Sequence, residues 1–210
     1  MAELCISDPI ERDDLGAFVA RAVRMDGEVI VRLRDGNGRV HAWLDTPFDA
    51  LVTRSVRGAV RPGDLTVGGT DLLAAVAVVG TVVVDPGRAQ DALWRCALPP
   101  ERGWREVDQV PAGVLADLVE QGTALARDHP GPHGSPPAAL LDQKVITVSG
   151  AGLDVGVPLR CLFALSGMGF MGDHAVAETV RVSATDSWLR LDACYGAVLR
   201  RRHALFPLLV

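Results

Sequence analysis

The sequence predicts an α+β protein in which antiparallel β-hairpins pack against helices. Three observations support this class. Apolar residues recur at helical spacing between Leu15 and Val23. Residues 29–34 alternate between apolar and polar types and lead into the turn sequence Asp35-Gly36-Asn37-Gly38. A second pair of alternating segments flanks Thr185-Asp186-Ser187. Alternation with a period of two is typical of a half-buried strand, and a recurrence at three and four residues is typical of a helix.

The N-terminal part contains the clearest local signals. Asp8 is placed to cap a helix, and Pro9 is tolerated in its first turn. We expect this helix to run to about Met25. Asp-Gly and Asn-Gly supply the positive φ angles of tight hairpin turns, so residues 29–34 and 40–44 are predicted to pair. A third strand is predicted over residues 50–56.

The middle of the chain is predicted to be mainly helical. A short helix is expected from Thr70 to about Gly80, followed by a buried strand over residues 81–84. Residues 86–110 are interrupted by proline and glycine and are expected to be irregular. A second amphipathic helix is predicted from Pro111 to the residue before His129, and the segment 129–137 is predicted to be a linker.

The C-terminal part repeats the pattern of the N-terminal part. Two short strands (144–149 and 153–157) flank a Gly-Ala-Gly turn, a helix runs from Pro158 to about Leu165, and three strands follow over 180–184, 188–191 and 197–201.

Both ends therefore give the order strand, helix, hairpin, strand. Aligning Asp45 with Asp192 also pairs Ala50 with Ala197. This predicts two similar β-α-β-β-β units around a helical middle section, the alternative being chance similarity among abundant residue types. The corresponding divisions are 1–60, 61–137 and 138–210, and one compact domain is the alternative to three segments.

Composition excludes some functions. Of the 210 residues, 49% are apolar and 22% are charged, which is typical of a globular protein. The net charge of −5 argues against a nucleic-acid binder, since that role needs a basic footprint on phosphates. The longest apolar run, 72–84, is too short to span a bilayer, and no secretory signal is recognised. These features predict a cytoplasmic protein without a membrane partner, with four reduced cysteines.

Each candidate motif for catalysis, cofactor binding or metal binding is better explained by an ordinary structural role, such as a turn or a linker. Gly150-Ala151-Gly152 follows a strand, but its third glycine is misplaced for a dinucleotide site. His129 and His133 have the spacing of a helical metal pair, but the intervening Pro130-Gly131-Pro132 prevents a helix. We therefore predict no catalytic, cofactor or metal-binding residues.

Two function hypotheses follow. The leading one is a non-catalytic protein that binds a partner or a small ligand, as a homodimer through the apolar tail 205–210. The alternative is an enzyme acting on a small anionic substrate in a cleft lined by arginines, since guanidinium groups bind anions bidentately. The candidate residues are Arg54, Arg160 and Arg201, with Asp192 as a partly buried carboxylate that needs an arginine partner. The cluster Arg200-Arg201-Arg202 either meets phosphate or an acidic partner, or protects an exposed edge strand, and the edge strand is the preferred interpretation.

Several short segments resemble an uncharacterised family of proteins from high-GC Gram-positive bacteria. They are Val157-Pro158-Leu159-Arg160, Met168-Gly169-Phe170, Tyr195-Gly196-Ala197-Val198 and Leu98-Pro99-Pro100 followed by Gly103-Trp104. The resemblance covers most of the chain. It implies no known activity, so no residue receives a role from it.

Overall fold

The structure is a computed structural model that describes residues 2–78, 80–129, 131, 136–172 and 178–202. The chain divides into two units. The first comprises Met1–Ala97 with Gly167–Gly169, and the second comprises Leu98–Ser166 with Phe170–Val210. This division falls inside the segment 61–137 that the sequence assigns to a helical middle section.

In the first unit, the part that the structure describes forms seven strands and two helices. In chain order they are β1 (Glu3–Cys5), α1 (Pro9–Met25), β2 (Ile30–Gly36), β3 (Arg39–Thr46), β4 (Ala50–Arg57), β5 (Ala59–Arg61), β6 (Asp64–Gly68), α2 (Gly69–Val76) and β7 (Val83–Val84), followed by a 3₁₀ turn at Asp91–Leu93. Four strands pair in the order β6-β2-β3-β4, and β1 pairs antiparallel with both β5 and β7.

Helix α1 forms where its capping residues predict. The Asp8 carboxylate accepts a hydrogen bond from the backbone nitrogen of Ile10 at 2.9 Å. The helix buries Leu15, Phe18 and Val19, the predicted apolar face, and it packs against α2 and β4. The hairpin β2–β3 also forms as predicted, with Asn37 and Gly38 at positive φ in its turn.

The predicted buried strand at residues 81–84 is wrong in length and in burial. Only Val83–Val84 is a strand, and Val83 is 52% exposed. This strand lies at one edge of the β5-β1-β7 sheet, so its side chains gain no cover from a second neighbouring strand. The β-branched residues 81–84 therefore include a short strand but do not contribute buried side chains to the core of the unit.

Asp64 on β6 joins two arginines of β2 at the surface of the first unit. Arg32 donates from Nε to Asp64 Oδ1 and from Nη2 to Oδ2, both at 2.7 Å, and Arg34 Nε lies 3.5 Å from Oδ2. These hydrogen bonds from Arg32 hold the pKa of Asp64 below its usual value. Because the folded-state pKa is lowered, the pair stabilises the fold above the unfolded pKa, and this stabilisation is lost as the pH falls through the folded pKa.

We predict that Asp64→Asn lowers the free energy of unfolding by about 0.5 kcal/mol at neutral pH, since the side chain is 43% exposed and solvent screens the pair. Urea denaturation at neutral pH and at about pH 2.5 measures the difference, which should be smaller at the acid pH. Asp117→Asn, on an exposed helix face, is the control. An effect of Asp64→Asn that is equal at both pH values would contradict this account.

The described residues of the second unit form six strands and three helices. In chain order they are β8 (Arg105–Pro111), α3 (Ala112–Asp128), α4 (Ala138–Leu141), β9 (Lys144–Gly150), β10 (Leu153–Pro158), α5 (Leu159–Gly167), β11 (Thr179–Ala184), β12 (Trp188–Ala193) and β13 (Gly196–Arg201). Four strands pair in the order β13-β12-β11-β8, and β9 pairs with β10.

Strand β8 corrects the prediction that residues 86–110 are irregular. It pairs with β11, and the register shifts at Val182/Ser183, where the β8 residue Val107 has no partner opposite it. Val107 and Val110 are three residues apart, and the bulge allows both to be buried. Their side chains are 8% and 5% exposed. Because these buried residues are three positions apart, the strand lacks the alternation of apolar and polar residues that predicts a strand.

The α+β prediction is confirmed, and the repeated element order is present. The order β1-α1-β2-β3-β4 in the first unit recurs as β10-α5-β11-β12-β13 in the second. In each case the last three strands are consecutive antiparallel neighbours. Asp45 lies on the second of these three strands, and Asp192 does so too. The recurrence is consistent with the predicted duplication.

The predicted second amphipathic helix forms as α3, but its apolar stripe is only partly covered. Leu115 is 1% exposed, whereas Val114 is 44% and Leu125 is 46% exposed. By contrast, α5 is buried along most of its length, from Leu159 to Leu165. The core of the second unit therefore forms around α5 and the strands, and α3 contributes less to it than its sequence predicts. Within the described ranges, the helices are all too short or too polar to cross a membrane.

Candidate functional site

The four candidate residues from the sequence lie in both units, and each has a local contact. Arg54 on β4 forms an ion pair with Asp14 of α1. Arg160 on α5 reaches Asp142, with Nη2 at 2.7 Å and Nε at 2.9 Å from Oδ1. The guanidinium of Arg201 on β13 stacks on the ring of Trp188 with 4.9 Å to its centroid. These three arginines are thus engaged with different groups.

Asp192 on β12 has the arginine partners that its sequence context predicts. Its side chain is 18% exposed, and its Oδ1 lies 2.6 Å from Nη2 of Arg190. Arg181 Nη2 on the neighbouring strand β11 lies 3.4 Å from Oδ2. The carboxylate is therefore part of an ion-pair cluster on the surface of the sheet. A binding role for these four residues stays a prediction.

A cleft in the first unit contains an acid and a thiol. Its volume is about 390 Å³, and its walls include Asp45, Trp94 and Cys96. Cys96 Sγ donates a hydrogen bond to Asp45 Oδ2 at 3.5 Å. Burial raises the pKa of both groups, and the nearby Asp45 carboxylate helps to raise that of Cys96 to about 11. A thiol with this pKa is almost entirely protonated at neutral pH, so Cys96 is not an activated nucleophile.

A cleft lined by several cations lies in the second unit, and we name it the cationic groove. Its volume is about 340 Å³. It is lined by four cations (Lys144, Arg200, Arg201, Arg202), two carboxylates (Asp142, Asp154) and the residues Gly156, Pro158 and Leu189. The lining has a formal charge of about +2 in a chain whose net charge is −5. The groove is therefore a local site of positive charge.

The side chains of the cationic groove are held in different ways. Arg202 donates from Nη1 to the carbonyl of Thr185 and from Nη2 to the carbonyl of Asp154, both at 2.9 Å. Arg200 Nη1 lies 3.4 Å from Asp142 Oδ1, a carboxylate that Arg160 already binds at shorter distance. Arg202 thereby keeps its full charge, because backbone carbonyls orient a guanidinium without neutralising it.

Lys144 takes its place in the groove because residue 156 is glycine. A Cβ atom at Gly156 would lie 2.5 Å from Cδ and 2.9 Å from Cγ of Lys144, so the aliphatic stem lies directly over this glycine. Within the described part of the chain, Lys144 forms no ion pair with a carboxylate. Its ammonium group is exposed at the start of β9.

The sequence analysis missed this groove for a specific reason. Strand alternation places Arg200 and Arg202 on one face and Arg201 on the other. In the structure β13 ends at Arg201, and all three arginines nevertheless line the same cleft. They are also partly buried, which does not fit an exposed protective edge. Lys144 and Gly156 lie on neighbouring strands of the hairpin β9–β10, where Lys144 pairs with Pro158 and Gly156 pairs with Thr147, and no local pattern in the sequence joins them to Arg202.

The structure describes only one of the two histidines that the sequence analysis considered as a metal pair. His129 is the cap of α3, whereas His133, like the tail 205–210, lies outside the described residues. Among the residues with described positions, no group of three or more His, Cys, Asp and Glu side chains could hold a metal ion.

The fold is that of a known class of protein, the sliding clamps of DNA polymerases. The chain is similar to the DNA polymerase sliding clamp of Caulobacter crescentus, with a TM-score of 0.61 and 14% identity over 98% of this chain. The clamps of Bacillus subtilis and Pseudomonas aeruginosa give TM-scores of 0.61 and 0.58, with 13% and 12% identity over 99% of this chain. In all three cases the chain spans 66% of the clamp's length.

Two family models match the sequence. Residues 99–205 match a model described as "Domain of unknown function (DUF8185)", which covers half of the chain, and the chain belongs to this family. Residues 1–96 match a second model, "Domain of unknown function (DUF8010)". These two matches are consistent with the predicted resemblance to an uncharacterised family. No curated protein sequence matches the chain.

The clamp likeness overturns two predictions. The hypotheses of a small-ligand-binding protein and of an enzyme acting on a small anion are contradicted, because the fold is similar to that of DNA polymerase sliding clamps. The prediction that nucleic acid is an unlikely partner is contradicted, because the similar structures are described as DNA polymerase clamps. The predicted homodimer contact through the tail 205–210 lies outside the described residues. The expectation that the chain is not an enzyme agrees with this fold. Net charge misled the nucleic-acid prediction, because it is an average over the chain and does not report how the charges are distributed.

Proposed function

We propose that the chain is a clamp-like, non-catalytic protein that associates with DNA and with other proteins. The observation that carries the proposal is the fold likeness to DNA polymerase sliding clamps over 98–99% of the chain. The repeated β-α-β-β-β order supports it, because the likeness then extends through both units and is not limited to one hairpin. The DNA association of the similar proteins is carried over to this chain only as part of this proposal.

The charges on the helices determine what kind of DNA association to expect. Helix α1 carries three carboxylates and three guanidinium groups, α2 one carboxylate, α3 three carboxylates and one guanidinium group, and α5 the buried Arg160 alone. No helical surface in the described ranges is strongly basic. Attraction to phosphates through such surfaces would be weak. We therefore expect weak binding to linear duplex DNA and a stronger association where the protein encloses the DNA.

Fractionation of the cells that express the protein tests the proposal. After gentle lysis, the protein should sediment with the chromosomal DNA, stay there at about 0.5 M salt, and be released by nuclease. A protein that encloses DNA stays on it at this salt concentration, whereas a protein held by electrostatic attraction to the phosphates is released. Loading by other cellular proteins has already taken place in such cells. A protein that stays in the supernatant at every salt concentration without nuclease would refute the DNA part of the proposal.

The proposal also includes the kind of organism from which the chain comes and its location in the cell. Of the 21 basic residues, Lys144 is the single lysine, which fits the codon usage of a high-GC genome. This supports the resemblance to proteins of high-GC Gram-positive bacteria. An association with chromosomal DNA would place the protein in the cytoplasm.

A further inference from the structure

We propose that the cationic groove of the second unit binds an acidic, extended segment of a partner protein. The inference deepens the proposed function, on which it rests for the idea of a protein partner, by specifying the chemistry of that partner. It is carried by the positions of Lys144, Arg200 and Arg202 around one cleft of about 340 Å³. The sequence singled out the arginine cluster 200–202 but gave Lys144 no role in a site.

The positive charge of the groove is available to a ligand. Arg202 is oriented by two backbone carbonyls, which leave its formal charge in place. Arg200 shares Asp142 with Arg160, and the Arg160 contact is the shorter one, 2.7 Å against 3.4 Å. Lys144 forms no ion pair with the carboxylates that the structure describes. An incoming carboxylate would therefore meet cations whose positions are already set, and this lowers the cost of ordering them on binding.

The shape and the composition of the groove favour a peptide over duplex DNA. A duplex presents long rows of phosphates and is bound through an extended basic stripe. The groove is short, and Asp142 and Asp154 in its wall would repel a continuous row of phosphates. Pro158 and Leu189 supply an apolar part of the wall. A segment with spaced carboxylates and one apolar side chain matches this arrangement by charge and by polarity.

The hairpin β9–β10 fixes the register of the groove. Gly156 pairs with Thr147 and Pro158 pairs with Lys144, and the stem of Lys144 lies against the bare backbone at 156. Alanine at position 156 would place its Cβ 2.5 Å from Lys144 Cδ and would push the stem away. Gly156→Ala therefore moves the Lys144 ammonium group without changing the charge of the groove. A binding test of this variant shows whether the position of the cation matters in addition to its charge.

The test uses a short fluorescein-labelled peptide in which glutamates flank a leucine, measured by fluorescence anisotropy with the full chain at low salt. We expect a Kd of about 10–100 µM, typical of a short exposed ionic contact. Lys144→Glu should raise this Kd about tenfold, and Gly156→Ala should raise it about threefold. Arg102→Glu, an exposed charge reversal in the same unit outside the groove, should leave it unchanged. Circular dichroism and melting curves of each variant verify the fold.

Three results would overturn the inference. They are no binding of the glutamate peptide up to about 1 mM, equal binding by a peptide with glutamines in place of the glutamates, and equal losses for Lys144→Glu and Arg102→Glu. A duplex oligonucleotide that displaces the peptide, and whose own binding is lost in Lys144→Glu, would reassign the groove to phosphates. Because the peptide assay contains no DNA, its failure leaves the chromosomal fractionation unaffected, and the two proposals can fail separately.

Discussion

Replacing Gly150 by alanine should destabilise the second unit by about 3 kcal/mol, which is among the largest effects expected for a single methyl group. A Cβ at this position would lie 2.1 Å from the backbone oxygen of Val107 and 3.1 Å from its carbonyl carbon. These atoms belong to the backbone, so no side-chain rotation can relieve the overlap. The strands β8 and β9 must move apart, and the pairing of β8 with β11 must adjust.

The close approach at Gly150 follows from the bulge in β8. Val107 is the residue without a partner in the β8–β11 register, so the chain protrudes at this point. Only a residue without a side chain can lie against its carbonyl. The backbone at Gly150 is extended and not left-handed, so the need for glycine here comes from space and not from φ.

Urea denaturation of Gly150→Ala measures this effect, and Gly113→Ala is its matched control. Gly113 lies in the first turn of α3, and a Cβ there would have no neighbour within 4 Å. The control should therefore be neutral or should stabilise the protein by up to about 1 kcal/mol, because alanine favours helix and restricts the unfolded chain. Equal stability of the two variants would show that β8 and β9 are not in contact as described.

Leu162→Ala should have the second large effect, a loss of about 3 kcal/mol in the free energy of unfolding. Leu162 is 0% exposed in the middle of α5, whose residues from Leu159 to Leu165 are all buried. Truncation removes the transfer free energy of three buried carbon atoms and leaves a cavity that the surrounding strands cannot fill. The unit depends on α5 for much of its core, since α3 is half exposed.

Leu125→Ala is the control for Leu162→Ala, since it makes the same chemical change in a helix of the same unit. Leu125 is 46% exposed on α3, so we expect a change of less than about 1 kcal/mol. Thermal unfolding followed by circular dichroism gives both values. If Leu125→Ala were as destabilising as Leu162→Ala, then α3 would be covered by something other than the described residues, and its open face would have to be reconsidered.

Local signals in the sequence predicted the elements that depend on local contacts. The cap at Asp8 and the apolar face around Leu15 and Phe18 predicted α1 to within a residue or two of its observed ends. The Asp35–Gly38 turn predicted the β2–β3 hairpin, because positive φ at Asn37 and Gly38 is a property of those residues themselves. Each of these elements is determined by residues within a few positions of one another.

The elements that were missed depend on distant partners. Strand β8 has only Val107 and Val110 buried, and their spacing fits a strand only because β11 pairs with it across a bulge. The same is true of the cationic groove, whose cations come from β9, from β13 and from the residue that follows β13. Neither Lys144 nor Arg202 is distinguished by its immediate neighbours, so no local pattern could have brought them together.

The amino-acid sequence by itself determined the α+β class and the repeated strand-helix-hairpin-strand order, because capping, turn geometry and apolar periodicity act over a few residues. Only the tertiary structure decided the division of the chain after Ala97, the pairing of β8 and the positions of the cations around Gly156. These features arise from contacts between residues far apart in the chain. Such contacts depend on which strands pair and in which register, and the energy that selects the pairing is shared among many buried side chains.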